Sequence, residues 1–282
     1  MPVNPKIKTV SIFHLPENDR AILWDKKIRR WLEKNYPRIK ISAQKPDAVI
    51  VLGGDGTILE AARKYETQKP IIVGLNLGHV GFLASVREQK NFLKGLASLF
   101  EGRYRVTERM MLSASVMRKG KAIFNTNSLN DIVIQSILGI LEMEVGVEKQ
   151  PIQYIRGTGV LVATATGSTA YNLSAHGPIV MPDIKCFIVT ELMDHNIPTP
   201  SIVIKRDREI YIKILHFRKR GILSLSKTGQ PVDVILISDS GKVFPLEEGD
   251  EILVRQSPRL IRFAEFEKNY FFRSLQEKFG FK

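Results

Sequence analysis

Apolar and polar residues along the first third of the chain predict strands and helices in turn. Short runs rich in Val and Ile, typical of buried strands, occur at 8–14, 48–52 and 70–75. Each run is followed by a segment with apolar residues at helical spacing, at 19–32, 57–65 and 87–100. Asn18 is a suitable N-cap for the first of these helices. This order predicts a Rossmann-like α/β domain with a parallel sheet over residues 1–112.

The pattern changes after about residue 112 to short β-branched runs separated by Gly, Asn and Pro. The predicted strands are 113–117, 132–135, 159–163, 202–204, 210–215 and 232–237. Helical periodicity is nearly absent, so residues 113–260 are expected to form a mostly antiparallel, all-β domain. In the remaining segment, 261–282, apolar residues from Phe266 to Phe279 recur at roughly helical spacing. This predicts a closing helix that returns to the first domain.

Composition narrows the class of protein. The chain has 282 residues, of which 44% are hydrophobic and 25% charged, as in globular proteins of about two domains. It has no apolar run as long as a membrane span and no secretory signal pattern at its start, so we expect a cytoplasmic protein without a membrane partner. One cysteine, Cys186, excludes an internal disulfide, and the histidines lack partners at ligand-like spacing, so no metal site is predicted.

The charge balance favours an anionic partner. Lys and Arg number 42 against 29 Asp and Glu, a net charge of +13. Such a surplus suits a nucleic-acid binder, a protein on an anionic membrane surface, or an enzyme whose substrates carry phosphates. The basic clusters are scattered and mixed with acidic residues, so the charge alone does not separate these classes.

A glycine-rich turn follows the second predicted strand. Gly53, Gly54 and Gly56 surround Asp55, and a helix is expected to begin at Thr57. Glycine lets the backbone approach a ligand, and free amide groups at a helix start attract phosphate. A carboxylate beside phosphates is repulsive unless it faces a metal ion or accepts a proton from an attacking hydroxyl, and phosphoryl transfer uses both. We therefore predict a phosphate-binding loop of Gly53, Gly54, Gly56 and Thr57, with Asp55 as the catalytic residue.

Four motifs in this order resemble those of the NAD kinases, and more distantly the lipid kinases and phosphofructokinases. They are GGDGT at 53–57, NLGHVGFL at 76–83, the Asn130–Asp131 pair and TGSTAYNLS at 166–174. The resemblance covers about residues 45–260. It implies phosphorylation of the 2′-hydroxyl of the adenosine ribose of NAD, giving NADP, with Mg-ATP or inorganic polyphosphate as donor and no prosthetic group. Asp55 would then assist the attack of that hydroxyl.

The resemblance also implies a set of residues that bind the dinucleotide. The set comprises Gly56, His79, Phe82, Asn130, Asp131, Arg156, Thr158, Thr166, Thr169, Ala170, Tyr171 and Ser174. The Asn130 amide beside the Asp131 carboxylate can hydrogen-bond ribose hydroxyls and base edges. The segment from Thr169 to Ser174, which has several hydroxyl groups around one aromatic ring, can pack against an adenine and hydrogen-bond it. For four of these residues an alternative to ligand binding remains open. The alternatives are that Phe82 is a core residue, that His79 and Arg156 are surface residues, and that Asn130 belongs to an ordinary turn. A homodimer or homotetramer is implied as well, and no nucleic-acid partner.

Several positions depart from the family pattern near the expected dinucleotide site. Thr158 stands in place of an acid, Ser240 and Lys242 replace an acid and an amide, and the common Arg-Pro is missing near Pro200. Two alternatives therefore stay open. One is a lipid kinase of the same superfamily, which the TGSTAYNLS segment does not favour. The other is a catalytically silent protein of this fold that binds nucleotides or nucleic acid, which the intact Asp55 disfavours.

Overall fold

The computed structural model describes residues 7–78, 81–195, 199–224, 229, 232–239 and 241–280. They divide into two compact units. The first contains the residues up to Arg109 together with those from Arg259 onward, and the second contains Met110–Pro258. Two long strands carry the chain from one unit into the other.

The helices and strands have the following bounds in chain order. They are β1 Thr9–Phe13, α1 Asp19–Asn35, β2 Lys40–Ile41, β3 Ala48–Leu52, α2 Asp55–Tyr65, β4 Ile71–Leu75, α3 Phe92–Phe100, β5 Arg105–Arg118, β6 Lys121–Ser128, β7 Asp131–Ser136, β8 Leu141–Val147, β9 Gln150–Gly157, β10 Gly159–Thr164, α4 Tyr171–Ser174, β11 Cys186–Leu192, β12 Ile202–Lys205, β13 Ile210–Phe217, β14 Val234–Ser238, β15 Val243–Pro245, β16 Glu251–Glu265 and α5 Tyr270–Phe279. Short 3₁₀ turns occupy Gln89–Asn91 and Gly167–Thr169.

The first unit is an α/β structure with a parallel sheet. Its strand order is β2-β1-β3-β4 followed by the last part of β16, and every pair is parallel. Strands β3 and β4 are buried along their whole length, which is why they stand out as unbroken apolar runs. Helix α1 begins where predicted, with the Asn18 side chain accepting the Ala21 N–H at 3.1 Å.

The second unit contains two antiparallel sheets that share one core. One sheet has the order β12-β11-β10-β7-β14-β15, and the other pairs the first part of β16 with β13, β8 and β9. Alternate residues of each strand face inward, among them Phe187, Leu236 and Ile212, all fully buried. The predicted fold class, a parallel α/β domain with a mostly antiparallel β domain, is confirmed.

Two predicted helix starts are wrong. Helix α2 begins at Asp55 rather than at Thr57, because Gly54 already takes the N-cap position. Helix α3 begins at Phe92 rather than at 87, because a 3₁₀ turn precedes it. Among the residues described, none of the helices has the length and apolar character that crossing a membrane requires.

Candidate functional site

Of the three glycines at the junction of β3 and the first turn of α2, two have open space beside them. A β-carbon on Gly53 would lie 2.4 Å from Oγ1 of Thr57, so contact within the chain requires glycine there. A β-carbon on Gly54 or on Gly56 would meet nothing within 4 Å, and neither residue has a positive φ. Nothing in the described chain therefore requires glycine at these two positions. Their bare backbone at the start of a helix suits an anion that is not part of the protein.

Asp55 lies in the first turn of α2, and both of its carboxylate oxygens are held by backbone donors. Oδ2 accepts the Phe82 N–H at 2.8 Å and Oδ1 accepts the Leu83 N–H at 3.2 Å. A β-carbon on Gly81 would lie 2.2 Å from Oδ1, so only glycine leaves room for the carboxylate. The GFL segment of the second motif thus fixes the orientation of Asp55 beside the open face of the glycine loop.

Phe82 itself is packed rather than open. Its side chain is buried, and its ring lies 5.8 Å from that of Phe271 and 6.3 Å from that of Phe279, centroid to centroid, both rings belonging to α5. This is the core position that the sequence left open, and a contact between Phe82 and a base stays a prediction. His79, from the same motif, lies outside the described residues.

A second group of predicted residues meets in the β-rich unit, where β10 ends beside the start of β7. The Thr164 N–H donates to the Asn130 carbonyl at 2.7 Å, and a β-carbon on Gly167 would lie 2.2 Å from that same oxygen. Because Gly167 has no side chain, the TGST turn can lie directly against the Asn130 backbone. Of the predicted ligands in this segment, Thr166 is buried, Thr169 and Ala170 are half-buried, and Tyr171 and Ser174 are exposed.

Two acidic residues adjoin this turn. Asp239 Oδ2 accepts the Asn130 N–H at 2.5 Å, and the Asp239 N–H donates to the Asp131 carbonyl at 3.3 Å. Burial raises the pKa of Asp131 to about 7, and the nearby Asp239 carboxylate adds to the increase. Asp239 was not predicted from the sequence, although it directly precedes Ser240, where an acid was expected. Ser240 lies outside the described residues, and Lys242 is exposed.

Part of the TGSTAYNLS motif serves the fold instead of a ligand. Asn172 is fully buried, donates to the Ser168 and Pro178 carbonyls at 3.3 and 3.1 Å, and accepts the Thr190 hydroxyl at 2.8 Å. Ser168 is also fully buried and its Oγ accepts the Val180 N–H at 3.0 Å. These bonds hold the turn in place against the neighbouring strands.

Arg156 and Thr158 already have partners within the protein. The Arg156 guanidinium is exposed and pairs with Glu142 across the β8–β9 ladder at 3.3 Å. The Thr158 hydroxyl donates to the Leu192 carbonyl at 2.8 Å. Their contacts with a dinucleotide stay predictions. In the described part of the chain, no cluster of three or more His, Cys, Asp or Glu side chains is placed to hold a metal ion.

Comparisons with known proteins agree over nearly the whole chain. The family model for the ATP-NAD kinase N-terminal domain matches residues 10–104, and that for the ATP-NAD kinase C-terminal domain matches residues 129–266. The NAD kinase of Lachnoclostridium phytofermentans is 32% identical over 255 residues, covering 89% of this chain and 86% of that protein. The NAD kinase of Natranaerobius thermophilus is 35% identical over 234 residues, covering 82% of this chain and 77% of that protein.

Solved structures of the same class share the fold. A crystal structure of yeast NADH kinase complexed with NADH superposes with a TM-score of 0.86 at 22% identity, covering 98% of this chain and 88% of that one. A crystal structure of an NAD kinase from Archaeoglobus fulgidus in complex with ATP gives a TM-score of 0.72 at 23% identity, covering 96% and 97%. With both domain models matched and curated relatives above 30% identity, the chain belongs to the NAD kinase family, as its four motifs predicted.

Proposed function

We propose that this enzyme transfers a phosphoryl group to the 2′-hydroxyl of the adenosine ribose of NAD, giving NADP, and that Asp55 accepts the proton of that hydroxyl. The observation that carries the proposal is the setting of Asp55. Its carboxylate is held by two backbone N–H groups beside the open faces of Gly54 and Gly56. A fixed carboxylate next to an anion-binding backbone is the combination that phosphoryl transfer needs.

The proposed reaction has one proton to move and one phosphoryl group to transfer. The 2′-oxygen forms a bond to the terminal phosphorus of the donor, the bond from that phosphorus to the leaving phosphate oxygen breaks, and the hydroxyl proton passes to Asp55. Each carboxylate oxygen accepts one N–H and has a second lone pair, so it can still accept this proton. The amides of Gly54 and Gly56 would face the phosphates and neutralise part of their charge.

The phosphoryl donor in this proposal is ATP with its magnesium ion, with inorganic polyphosphate as the other candidate. We expect the ion to enter with the donor, because phosphate oxygens and water are its usual ligands in such sites. Its chemistry when bound is to neutralise charge on the transferring group. Membership of the NAD kinase family favours this proposal over the lipid-kinase alternative.

The dinucleotide would be bound by the polar turn of the β-rich unit. Asn130 directly precedes β7, which Asp131 begins, and its carbonyl lies against the turn that carries Thr166 and Thr169. The exposed ring of Tyr171 offers an apolar face at the end of this turn. We propose that these groups hydrogen-bond the ribose and pack on the adenine.

A cytoplasmic homodimer or homotetramer is also proposed, and light scattering would measure the assembly.

The test is an end-point assay of purified protein with NAD and Mg-ATP, in which NADP is read by a strictly NADP-dependent dehydrogenase. Asp55→Asn keeps the size of the side chain and removes the proton acceptor, so we expect at least about a hundredfold loss of turnover with the fold retained. Glu60→Gln is the matched control, because it removes a carboxylate from the same helix away from the glycine loop. It should retain normal turnover.

Two results would contradict the proposal. Equal turnover by Asp55→Asn and the wild type would remove Asp55 from the mechanism. Absence of NADP from NAD with either ATP or polyphosphate as donor, together with absence of NADPH from NADH, would favour the catalytically silent alternative, and stronger retention on heparin than on an AMP resin would then favour a nucleic-acid partner.

A further inference from the structure

Helix α5 is tied to the segment that follows the GFL motif. Arg87 Nη2 donates to the Tyr270 carbonyl at 2.8 Å and to the Ser274 hydroxyl at 2.5 Å, and Nη1 lies 2.6 Å from Glu277. The guanidinium also stacks 4.3 Å from the centre of the Tyr270 ring. One half-buried arginine therefore holds three residues of α5 against residues 81–87.

The same helix reaches the peptide group that binds Asp55. The Gly81 carbonyl accepts the Tyr270 and Ser274 hydroxyls, each at 3.4 Å. The N–H of that peptide group belongs to Phe82 and donates to Asp55 at 2.8 Å. In a planar trans peptide the carbonyl and the N–H point in opposite directions, so holding the oxygen sets where the N–H points.

We propose that Tyr270, assisted by Ser274, is a positioning residue for Asp55: it orients the Gly81–Phe82 peptide so that the N–H holds the carboxylate in its reactive orientation. The inference rests on the proposed function of Asp55 as proton acceptor. It assigns the C-terminal helix a part in the reaction although none of its side chains touches the carboxylate through a hydrogen bond among the described residues.

Tyr270 is the main donor of the pair. The single proton of Ser274 is shared, because its Oγ also lies 3.0 Å from the Tyr270 carbonyl one turn earlier in α5. Burial raises the pKa of Tyr270 to about 12, Arg87 opposes this increase, and the charge of Asp55 adds to it. The phenol therefore keeps its proton, and remains a donor, throughout the neutral range.

The experiment compares steady-state kinetics of the wild type, Tyr270→Phe, Ser274→Ala and the double variant. Tyr270→Phe keeps the ring that stacks on Arg87 and removes the donor alone. Because the bonds to Gly81 are long, we expect a fall in kcat of about five- to tenfold for Tyr270→Phe, a smaller fall for Ser274→Ala and the largest for the double variant. KM for NAD and for the donor should stay within about twofold, since no substrate contact is lost.

Arg273→Gln is the matched control, because this exposed residue of α5 pairs with Glu267 and not with the GFL segment. It should keep the wild-type kcat, and thermal unfolding of every variant should show that assays run well below the transition. A Tyr270→Phe enzyme with unchanged kcat, or with a loss that appears in KM or matches Arg273→Gln, would overturn the inference while the proposed function stands. Failure of the wild type itself to form NADP would overturn the proposed function and the inference with it.

Discussion

At the scale of single residues, the two acidic side chains of greatest interest have opposite surroundings. Asp55 is half-buried and receives two backbone N–H groups. Asp131 is buried and lies near a second carboxylate, Asp239, so that its pKa is raised to about 7. Asp131 therefore holds a proton over much of the acidic range.

The raised pKa of Asp131 predicts a pH-dependent stability. Between its ordinary value of 3.8 and about 7, the folded chain keeps a proton that the unfolded chain loses. The free energy of unfolding therefore falls as pH rises through this range, and the decrease that Asp131 causes is complete above about pH 7. Asn resembles the protonated acid and has no proton to lose. Asp131→Asn should stabilise the protein by a few kcal/mol at about pH 8 and by much less at about pH 4.5.

Urea unfolding at the two pH values measures this difference. Asp183→Asn is the control, because Asp183 is an exposed acid of the same unit, and its substitution should change the midpoint equally at both pH values. A gain for Asp131→Asn that is the same at both pH values would show that packing or hydrogen bonding, and not the proton, causes it.

At the scale of elements, the start of α2 separates a structural glycine from one that we assign to ligand binding. Alanine at Gly53 would place its β-carbon 2.4 Å from Thr57 Oγ1, whereas alanine at Gly54 meets nothing within 4 Å. Gly53→Ala should lower the free energy of unfolding by about 1–3 kcal/mol through overpacking, and the melting temperature should fall by several degrees. Gly54→Ala should cost only about 0.5–1 kcal/mol, because alanine is a poorer N-cap than glycine. It should raise KM for the phosphoryl donor several-fold, because its methyl group enters the proposed phosphate cradle.

Differential scanning fluorimetry and donor-dependence curves on the two variants measure both effects, and each variant is the control for the other. A Gly54→Ala enzyme with normal KM for the donor would remove that residue from the phosphate loop. Equal losses of stability in the two variants would show that the open space beside Gly54 is filled by the chain itself.

Several elements were predicted correctly because a short stretch of sequence is enough to indicate them. The buried strands β3 and β4 are continuous apolar runs, and Asn18 caps α1 as its residue type suggests. Strand β8 was not predicted although its Leu, Met and Val residues alternate with Glu, a period-two pattern that is typical of a half-buried strand. Strand β9 was not predicted because its apolar residues lack such a pattern, and its ladder with β8 supplies the order.

The parts of the candidate site that depend on distant residues could not be predicted. The motif letters identify Asp55 and Gly81, but the Gly81 carbonyl meets Tyr270, 189 residues further along the chain. The aromatic spacing near the C-terminus predicts a helix and contains no information on which hydroxyl faces which peptide. Asp239 is a similar case, since only the β7–β14 pairing brings it to Asn130.

At the scale of the whole molecule, the net charge of +13 is the property that bears on the proposed reaction. A positively charged protein attracts polyanionic substrates such as a nucleoside triphosphate over distances of about 10 Å at about 0.1 M salt, and salt screens this attraction. We therefore expect kcat/KM for the donor to fall several-fold between about 0.01 M and about 0.3 M KCl. The value of kcat should change much less, because the bound donor already has its contacts. The measurement is a series of donor-dependence curves at constant free magnesium.

Potassium glutamate at matched ionic strength is the control for competition by chloride, and sucrose is the control for changes in water activity. Screening of long-range attraction requires the two salts to act alike and sucrose to have no such effect, because screening depends on ionic strength alone. A flat kcat/KM would mean that the basic residues, which are scattered along the whole chain, produce no net field where the donor binds. A salt effect confined to kcat would place the charge at the reacting groups instead, and the Asp55 and Tyr270 variants would then be the ones to repeat across the salt series.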